Sequence, residues 1–106
     1  MASAGKHAYA VVWPRGEKTI EVTPLASRLE SIEGKTVAFV WDYLFRGDEV
    51  FAILAEGLRE RYGDLRFIGH EEFGSTHGGD EHAVIAVLAD RLKAVGANAV
   101  VSGMGC

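Results

Sequence analysis

The sequence predicts an α/β domain with three layers, in which a parallel sheet lies between helices. Residues 36–41 are apolar almost throughout, which is typical of a strand buried on both faces. Two segments with apolar residues at helical spacing follow, and they alternate with two further short apolar runs. Short connections between these elements favour parallel pairing through right-handed crossovers. We therefore expect the strand order 2-1-3, as in a flavodoxin-like or Rossmann-like half-domain.

The N-terminal region, residues 1–34, is expected to stand apart from an α/β half-domain that occupies residues 35–106. Two β-prone segments, 9–13 and 19–22, flank a turn at Pro14 and predict either a hairpin or a loose arm. The first seven residues are small and polar, and we predict that they are disordered. The stretch that connects the arm to the half-domain is expected to contain a short helical turn.

The first helix of the half-domain is predicted to begin at Asp48, which can act as its N-cap. Glu49 in the first turn complements the helix dipole. Four apolar residues at helical spacing form the expected buried stripe: Phe51, Leu54, Leu58 and Tyr62. Gly63 follows as the expected C′ residue, so the helix should run for roughly fourteen residues.

The second half of the pattern repeats the first. Residues 65–68 predict a short strand, and a polar loop follows over residues 69–79. Asp80 is the expected cap of a second helix that ends at Gly96. Its apolar stripe consists of Val84, Leu88, Leu92 and Val95. Residues 97–101 then predict the third strand.

Composition excludes several classes of protein. The formal net charge is −4, so the chain lacks the basic surface that binds nucleic acid. No apolar run approaches the roughly 20 residues needed to span a bilayer, and the N-terminus lacks the pattern of a secretion signal. The single cysteine excludes an internal disulfide. We therefore expect a cytoplasmic protein whose partners are a small-molecule substrate and further protein chains.

Three loops follow the three predicted strands and are the expected positions of function. In the first, Asp42 stands at the strand tip, where it can orient a substrate amine or a general acid, and Arg46 can bind a carboxylate. The alternative is structural: Asp48 caps the helix, while Tyr43 and Phe45 pack. Both interpretations of this loop stay open.

The second loop is rich in histidine and carboxylate, which are ligands that zinc and other divalent ions accept. The spacing of His70, His77 and His82 matches no strong metal signature, however, and Asp80 is already required as a helix cap. We therefore expect a solvated loop without a metal, in which His77 contacts substrate.

The third loop contains Ser102 and Gly103 and continues through Gly105 to Cys106. The G-x-G of this turn is a weak indication of phosphate binding, because the third glycine and the following helix of the dinucleotide motif are missing. No cofactor is therefore expected.

Three stretches of the chain together resemble the UGSC-motif proteins and selenoproteins, which are related to the selenoprotein B subunits of glycine and betaine reductases. The resemblance covers the sequence from about Thr23 to the last residue. It rests mainly on the order of elements and on the final strand and turn. The three stretches are IEGKTVA at residues 32–38, LRERYG at 58–63 and AVVSGMG at 99–105.

The resemblance implies a four-residue motif at a helix N-terminus: selenocysteine or cysteine, then glycine, then serine or threonine, then cysteine. The first and last residues of this motif form the reactive pair. Helix-terminal N–H groups would stabilise the thiolate or selenolate. By alignment of the turn, Cys106 stands immediately before the selenocysteine and is the candidate catalytic residue of this chain. Three explanations for the end at Cys106 are open: a UGA codon interpreted as a stop, a truncation, or a processed subunit whose partner carries the remainder.

The sequence thus predicts the N-terminal portion, or a subunit, of a thiol- or selenol-dependent reductase-like enzyme that acts on a small polar substrate. The chain alone is expected to be inactive and to form homo- or hetero-oligomers. Its expected substrate-binding residues are Asp42, Arg46, His77, Ser102 and Gly103, beside Cys106. The alternative is a non-catalytic module that binds an anion or a metal, or that mediates an interaction.

Overall fold

The computed structural model describes residues 8–105 and contains two α-helices and a parallel sheet of three strands in those residues. A short 3₁₀ helix follows the second strand. We label the elements in chain order as β1 (Thr36–Trp41), α1 (Gly47–Arg61), β2 (Arg66–Ile68), the 3₁₀ helix (His70–Glu72), α2 (Glu81–Ala94) and β3 (Ala99–Gly103).

The sheet has the order β2-β1-β3 and both pairings are parallel, which confirms the predicted 2-1-3 order. Thr36 of β1 pairs with Arg66 of β2, and Val37 pairs with Ala99 of β3. The first crossover connects β1 to β2, and the second runs in the opposite direction across the sheet, from β2 past β1 to β3. Connections of the same hand therefore place α1 and α2 on opposite faces of the sheet. This gives the expected three layers.

Each face of β1 anchors one hydrophobic cluster. On the α1 side, Phe39 and Trp41 pack with Phe51 and Ala55, and the Phe39 and Phe51 rings stack with their centroids 4.7 Å apart. The other cluster contains Ala38, Val40 and Phe73, with four partly buried side chains of α2 and its C-terminal turn against it: Leu88, Leu92, Val95 and Ala97. β1 is buried along its whole length, as its apolar sequence predicts.

The ends of α1 differ from the prediction. The helix begins at Gly47, with Arg46 in the N-cap position, so Asp48 lies in the first turn and does not cap. At the other end, Tyr62 is extended and Asp64, not Gly63, takes a left-handed conformation with φ 58°. The buried face passes through Phe51 and Ala55, while the predicted core residue Leu54 is 36% exposed.

The elements of the second half also begin later than predicted. β2 begins at Arg66, and β3 begins at Ala99 instead of residue 97. The delay in β3 has a clear cause, because Asn98 accepts the Thr36 N–H through its side-chain oxygen at 3.0 Å and donates its own N–H to the Thr36 carbonyl. Asp80 does occupy the N-cap position of α2, although its side chain makes no capping hydrogen bond.

Residues 8–33 form an extended arm, and neither of the predicted β-prone segments is a strand. The turn between them is present, with the Gly16 N–H donating to the Trp13 carbonyl at 3.3 Å. The expected helical turn in the connector is absent from these residues as well. The hairpin alternative is therefore wrong, and the arm is what the structure has. The predicted disorder of the first seven residues lies outside the described part of the chain.

Candidate functional site

The loops after β1 and β3, together with the loop after the 3₁₀ helix, meet at the carboxyl edge of the sheet, where open α/β sheets bind ligands. The chain at Ser75 forms a parallel bridge with Trp41, and the Thr76 N–H donates to the Trp41 carbonyl. On the other side of β1, the Asp42 N–H donates to the Gly103 carbonyl. The tip of β1 thus lies between the two other segments.

Asp42 joins these loops through its side chain and its backbone. It is 3% exposed. One carboxylate oxygen accepts the Leu44 N–H at 3.0 Å, and the other accepts the Gly105 N–H at 2.7 Å. The Ser75 hydroxyl donates to the Asp42 carbonyl at 3.2 Å. With both oxygens engaged by backbone N–H groups, Asp42 positions the turn that precedes Cys106.

Tyr43 follows in a left-handed conformation, with φ 64°, which costs an ordinary residue about 1–2 kcal/mol. Its ring stacks on Trp41 with the centroids 4.2 Å apart, and its hydroxyl hydrogen-bonds with Nδ1 of His70 at 2.9 Å. The other ring nitrogen of His70 lies 3.4 Å from a Glu71 carboxylate oxygen. The Asx turn at Asp42, the stacking on Trp41 and the hydrogen bond with His70 hold Tyr43 in its strained conformation.

A pocket of about 240 Å³ opens beside this cluster, between α1 and the end of β2. Its apolar wall consists of Phe39, Phe51, Ala52, Ala55 and Phe67, and its polar lining consists of Asp48, Gly69, His70 and Glu71. The carboxylates of Asp48 and Glu71 are acceptors for hydrogen bonds from a ligand, whereas both ring nitrogens of His70 already face Tyr43 and Glu71. The lining therefore suits a small molecule that presents donors or positive charge beside an apolar part.

Close packing explains the glycines around the site. A Cβ atom on Gly103 would lie 2.6 Å from the Phe51 ring, and one on Gly105 would lie 3.1 Å from Phe45. Similarly, a Cβ atom on Gly47 would lie 2.5 Å from Nε1 of Trp41, a buried nitrogen without a hydrogen-bond partner in the described residues. The G-x-G of the third loop is thus required by aromatic rings that pack against its backbone.

The remaining predicted site residues lie at the periphery. The Arg46 guanidinium is 3.8 Å from Glu49, its side chain is 85% exposed, and it is not part of the pocket lining. His77 is exposed and faces Glu81 at 3.9 Å, while Ser102 is on the exposed face of β3. Cys106 lies outside the described residues. Substrate contacts by these residues stay a prediction.

Sequence reasoning missed the partnership of Tyr43, His70 and Trp41. The sequence predicts a solvated loop at His70, yet its side chain is only 14% exposed and packs edge-on against Trp41 at a centroid distance of 4.9 Å. The aromatic residue directly after Asp42 was the available signal. Within residues 8–105, no three histidine, cysteine or carboxylate side chains form a group able to hold a metal.

The fold and this edge define an α/β protein with a ligand-sized crevice at the carboxyl ends of parallel strands. The chain belongs to the UGSC family, whose family model matches residues 10–106 and so confirms the predicted membership. No curated protein and no solved structure matches the chain significantly. Within residues 8–105, neither helix is long and apolar enough to cross a membrane.

Proposed function

We propose that this chain is the N-terminal portion, or a subunit, of a thiol- or selenol-dependent reductase-like enzyme that acts on a small polar substrate. The observation that carries the proposal is the hydrogen bond from the Gly105 N–H to buried Asp42 at 2.7 Å. It holds the backbone immediately before Cys106 at the edge where α/β sheets bind ligands. Membership of the UGSC family supports the same reaction class. The relation to selenoprotein B subunits stays a prediction.

The proposed reaction transfers two electrons. Two sulfur groups, or one sulfur and one selenium, form a bond and lose two electrons and two protons, which the substrate gains. An external dithiol then reduces the new bond. Because the chain contains one cysteine, the second sulfur or selenium group comes from another segment or chain of the assembly. This is why the chain alone is expected to be inactive.

The proposed substrate site is the pocket between α1 and the end of β2. Asp48 and Glu71 supply its acceptors, and the three phenylalanine rings supply most of its apolar wall. This lining favours substrates with hydrogen-bond donors or a positive charge over substrates that present only a carboxylate. The three strands would then form the first half of a flavodoxin-like sheet.

The assembly that a tagged chain forms in its source cells provides the test. It is supplied with dithiothreitol as electron donor and 2-hydroxyethyl disulfide as a small polar probe. We expect reduction above the uncatalysed rate with the assembly and none with the chain alone. If the assembly binds zinc or phosphate saturably but reduces no probe, the proposal is wrong and the chain is the non-catalytic binding module.

The pocket has its own test in the same assay. Ala52 lines the pocket, so Ala52→Phe should fill it and raise the KM for the probe several-fold while kcat changes less. Ala86→Phe, at an exposed alanine of α2, is the matched control and should leave KM unchanged. Equal KM values in the two variants would exclude this pocket as the substrate site.

A further inference from the structure

The arm exposes an unusual amount of apolar surface. Seven of its large apolar side chains are between 69% and 91% exposed: Tyr9, Val11, Val12, Trp13, Ile20, Val22 and Leu25. Soluble monomers rarely expose contiguous apolar surface on this scale, and where they do it marks an interaction site. The arm therefore requires a cover.

The body of the same molecule does not supply that cover. The radius of gyration is 22.1 Å, whereas a compact chain of this length has about 13 Å. The longest dimension is 77 Å against 35 Å for the next. Among the described backbone hydrogen bonds, the arm before Ile32 makes one, the turn from Gly16 to Trp13. Within residues 8–105, its remaining N–H and C=O groups have no backbone partner and can pair with a strand.

β3 offers the complementary surface. Within the described residues it pairs with β1 alone, so its outer edge presents unpaired N–H and C=O groups. Val100 is 45% exposed and Met104 is 73% exposed, so one face of this strand is uncovered as well. An open edge beside an apolar face is a template for an added strand.

We propose that, when the chain is on its own, the arm of one copy adds as a strand to the outer edge of β3 in a second copy; in the proposed assembly, the next strand of a flavodoxin-like sheet would take that edge instead. Residues 9–13 carry apolar side chains toward both faces, as a covered strand does, and they match the five residues of β3 in length. Pro14 then ends the segment. In the described part of the chain β2 also has an open outer edge, but β2 has only three residues, whereas β3 has five. Because each chain carries one arm and one β3 edge, a two-fold dimer pairs each arm with the β3 edge of the other copy.

The area available is sufficient for a stable dimer. A large apolar side chain carries roughly 60–120 Å² of transferable surface, so the four in the added strand, Tyr9, Val11, Val12 and Trp13, carry roughly 240–480 Å². Two such strands bury roughly 500–1,000 Å². The surfaces that they cover add a similar area, and the total of roughly 1,000–1,900 Å² overlaps the roughly 1,200–2,000 Å² of stable interfaces.

Sedimentation of the full chain at high micromolar concentration tests the proposal. We expect a dimer of twice the 11.4 kDa chain mass. Val12→Asp in the arm should raise the dimer dissociation constant about tenfold or more, since it places a charge in the buried strand. Ser27→Asp, the same charge at an exposed polar residue of the connector, should leave the constant unchanged. A monomeric wild-type chain, or equal effects of the two substitutions, would overturn the proposal.

Cross-linking identifies the surface that the arm covers. In a Cys106→Ser background, one chain carries Val12→Cys and another carries Val100→Cys, and the two are mixed with a flexible bismaleimide. We expect a cross-linked heterodimer in the mixture. When both substitutions are on one chain, cross-linking should still yield covalent dimers. If that double variant gives only cross-links within one chain, each arm covers its own body and the proposal is wrong. Circular dichroism of each variant verifies that the body is folded.

Discussion

At the scale of single residues, the site depends on close contacts between side chains and the backbone of the loops. Trp41 lies under the first residue of α1, Phe51 lies against Gly103, and Asp42 uses both carboxylate oxygens on backbone N–H groups. These residues determine where the three loops run before any substrate binds. Substitutions there should change stability by more than their size suggests.

Gly47→Ala should lower the free energy of unfolding by about 1–3 kcal/mol, because the new methyl group would overlap the indole of Trp41. Gly57→Ala is the matched control in the same helix, where a Cβ atom meets nothing within 4 Å. It should raise the free energy of unfolding by about 0.5–1 kcal/mol, as alanine does in a helix interior. Urea titration followed by far-ultraviolet circular dichroism measures both, and a shift of the same sign would refute the contact.

Asp42→Asn should lower the free energy of unfolding by about 1–3 kcal/mol, because the amide NH₂ group would face a backbone N–H donor and leave it unpaired. Asp90→Asn, at an exposed position of α2, should stay within about 0.5 kcal/mol of wild type. Amide hydrogen exchange at Leu44 and Gly105 gives a second readout. Unchanged protection of both amides in the Asp42 variant would contradict the two hydrogen bonds that the Asp42 carboxylate accepts from them.

At the scale of elements, local patterns predict the order and pairing of strands but not their ends. The continuous apolar run of β1 and the glycines at the ends of the helices were sufficient to predict the 2-1-3 strand order. The start of β3 depends on Asn98, whose side chain pairs with a residue 62 positions away, and no local pattern contains that contact. Likewise, the cluster of Tyr43 and His70 joins residues 27 positions apart.

Two glycines that follow helices should therefore respond differently to alanine. Gly96 follows α2 in a left-handed conformation with φ 73°, so Gly96→Ala should lower the free energy of unfolding by about 1–2 kcal/mol. Gly63 follows α1 without positive φ and without a neighbour within 4 Å, so Gly63→Ala should stay within about 0.5 kcal/mol of wild type. Thermal unfolding by circular dichroism separates the two. If Gly63→Ala lowers the free energy of unfolding as much as Gly96→Ala does, Gly63 is the residue that ends α1, as the sequence predicts.

At the scale of the whole molecule, the chain divides into a body that holds the site and an arm that reaches away from it. Both hydrophobic clusters lie within the body, and the arm contributes no residue to either of them. Sequence analysis identified the β-prone character of the arm. It could not determine what the arm covers, since such segments pair wherever an edge is open.

Removal of residues 1–29 should leave the free energy of unfolding of the body unchanged within about 0.5 kcal/mol at concentrations where the chain is monomeric. The same truncation should abolish dimerisation, because it removes the seven most exposed apolar side chains of the arm. Urea titration at low concentration and sedimentation at high concentration measure the two effects. A truncated body that unfolds more easily as a monomer would mean that the arm packs on its own chain.

The placement of the two tryptophans turns the division between arm and body into a pair of built-in optical reporters. Trp13 is in the arm and 69% exposed, whereas Trp41 is buried in the body under Tyr43 and beside His70. The emission of Trp13 should shift to the blue when a second copy covers it, and that of Trp41 should change in intensity when the neighbouring crevice is occupied. Single Trp→Phe variants therefore let assembly and ligand binding be followed separately in the same unlabelled protein.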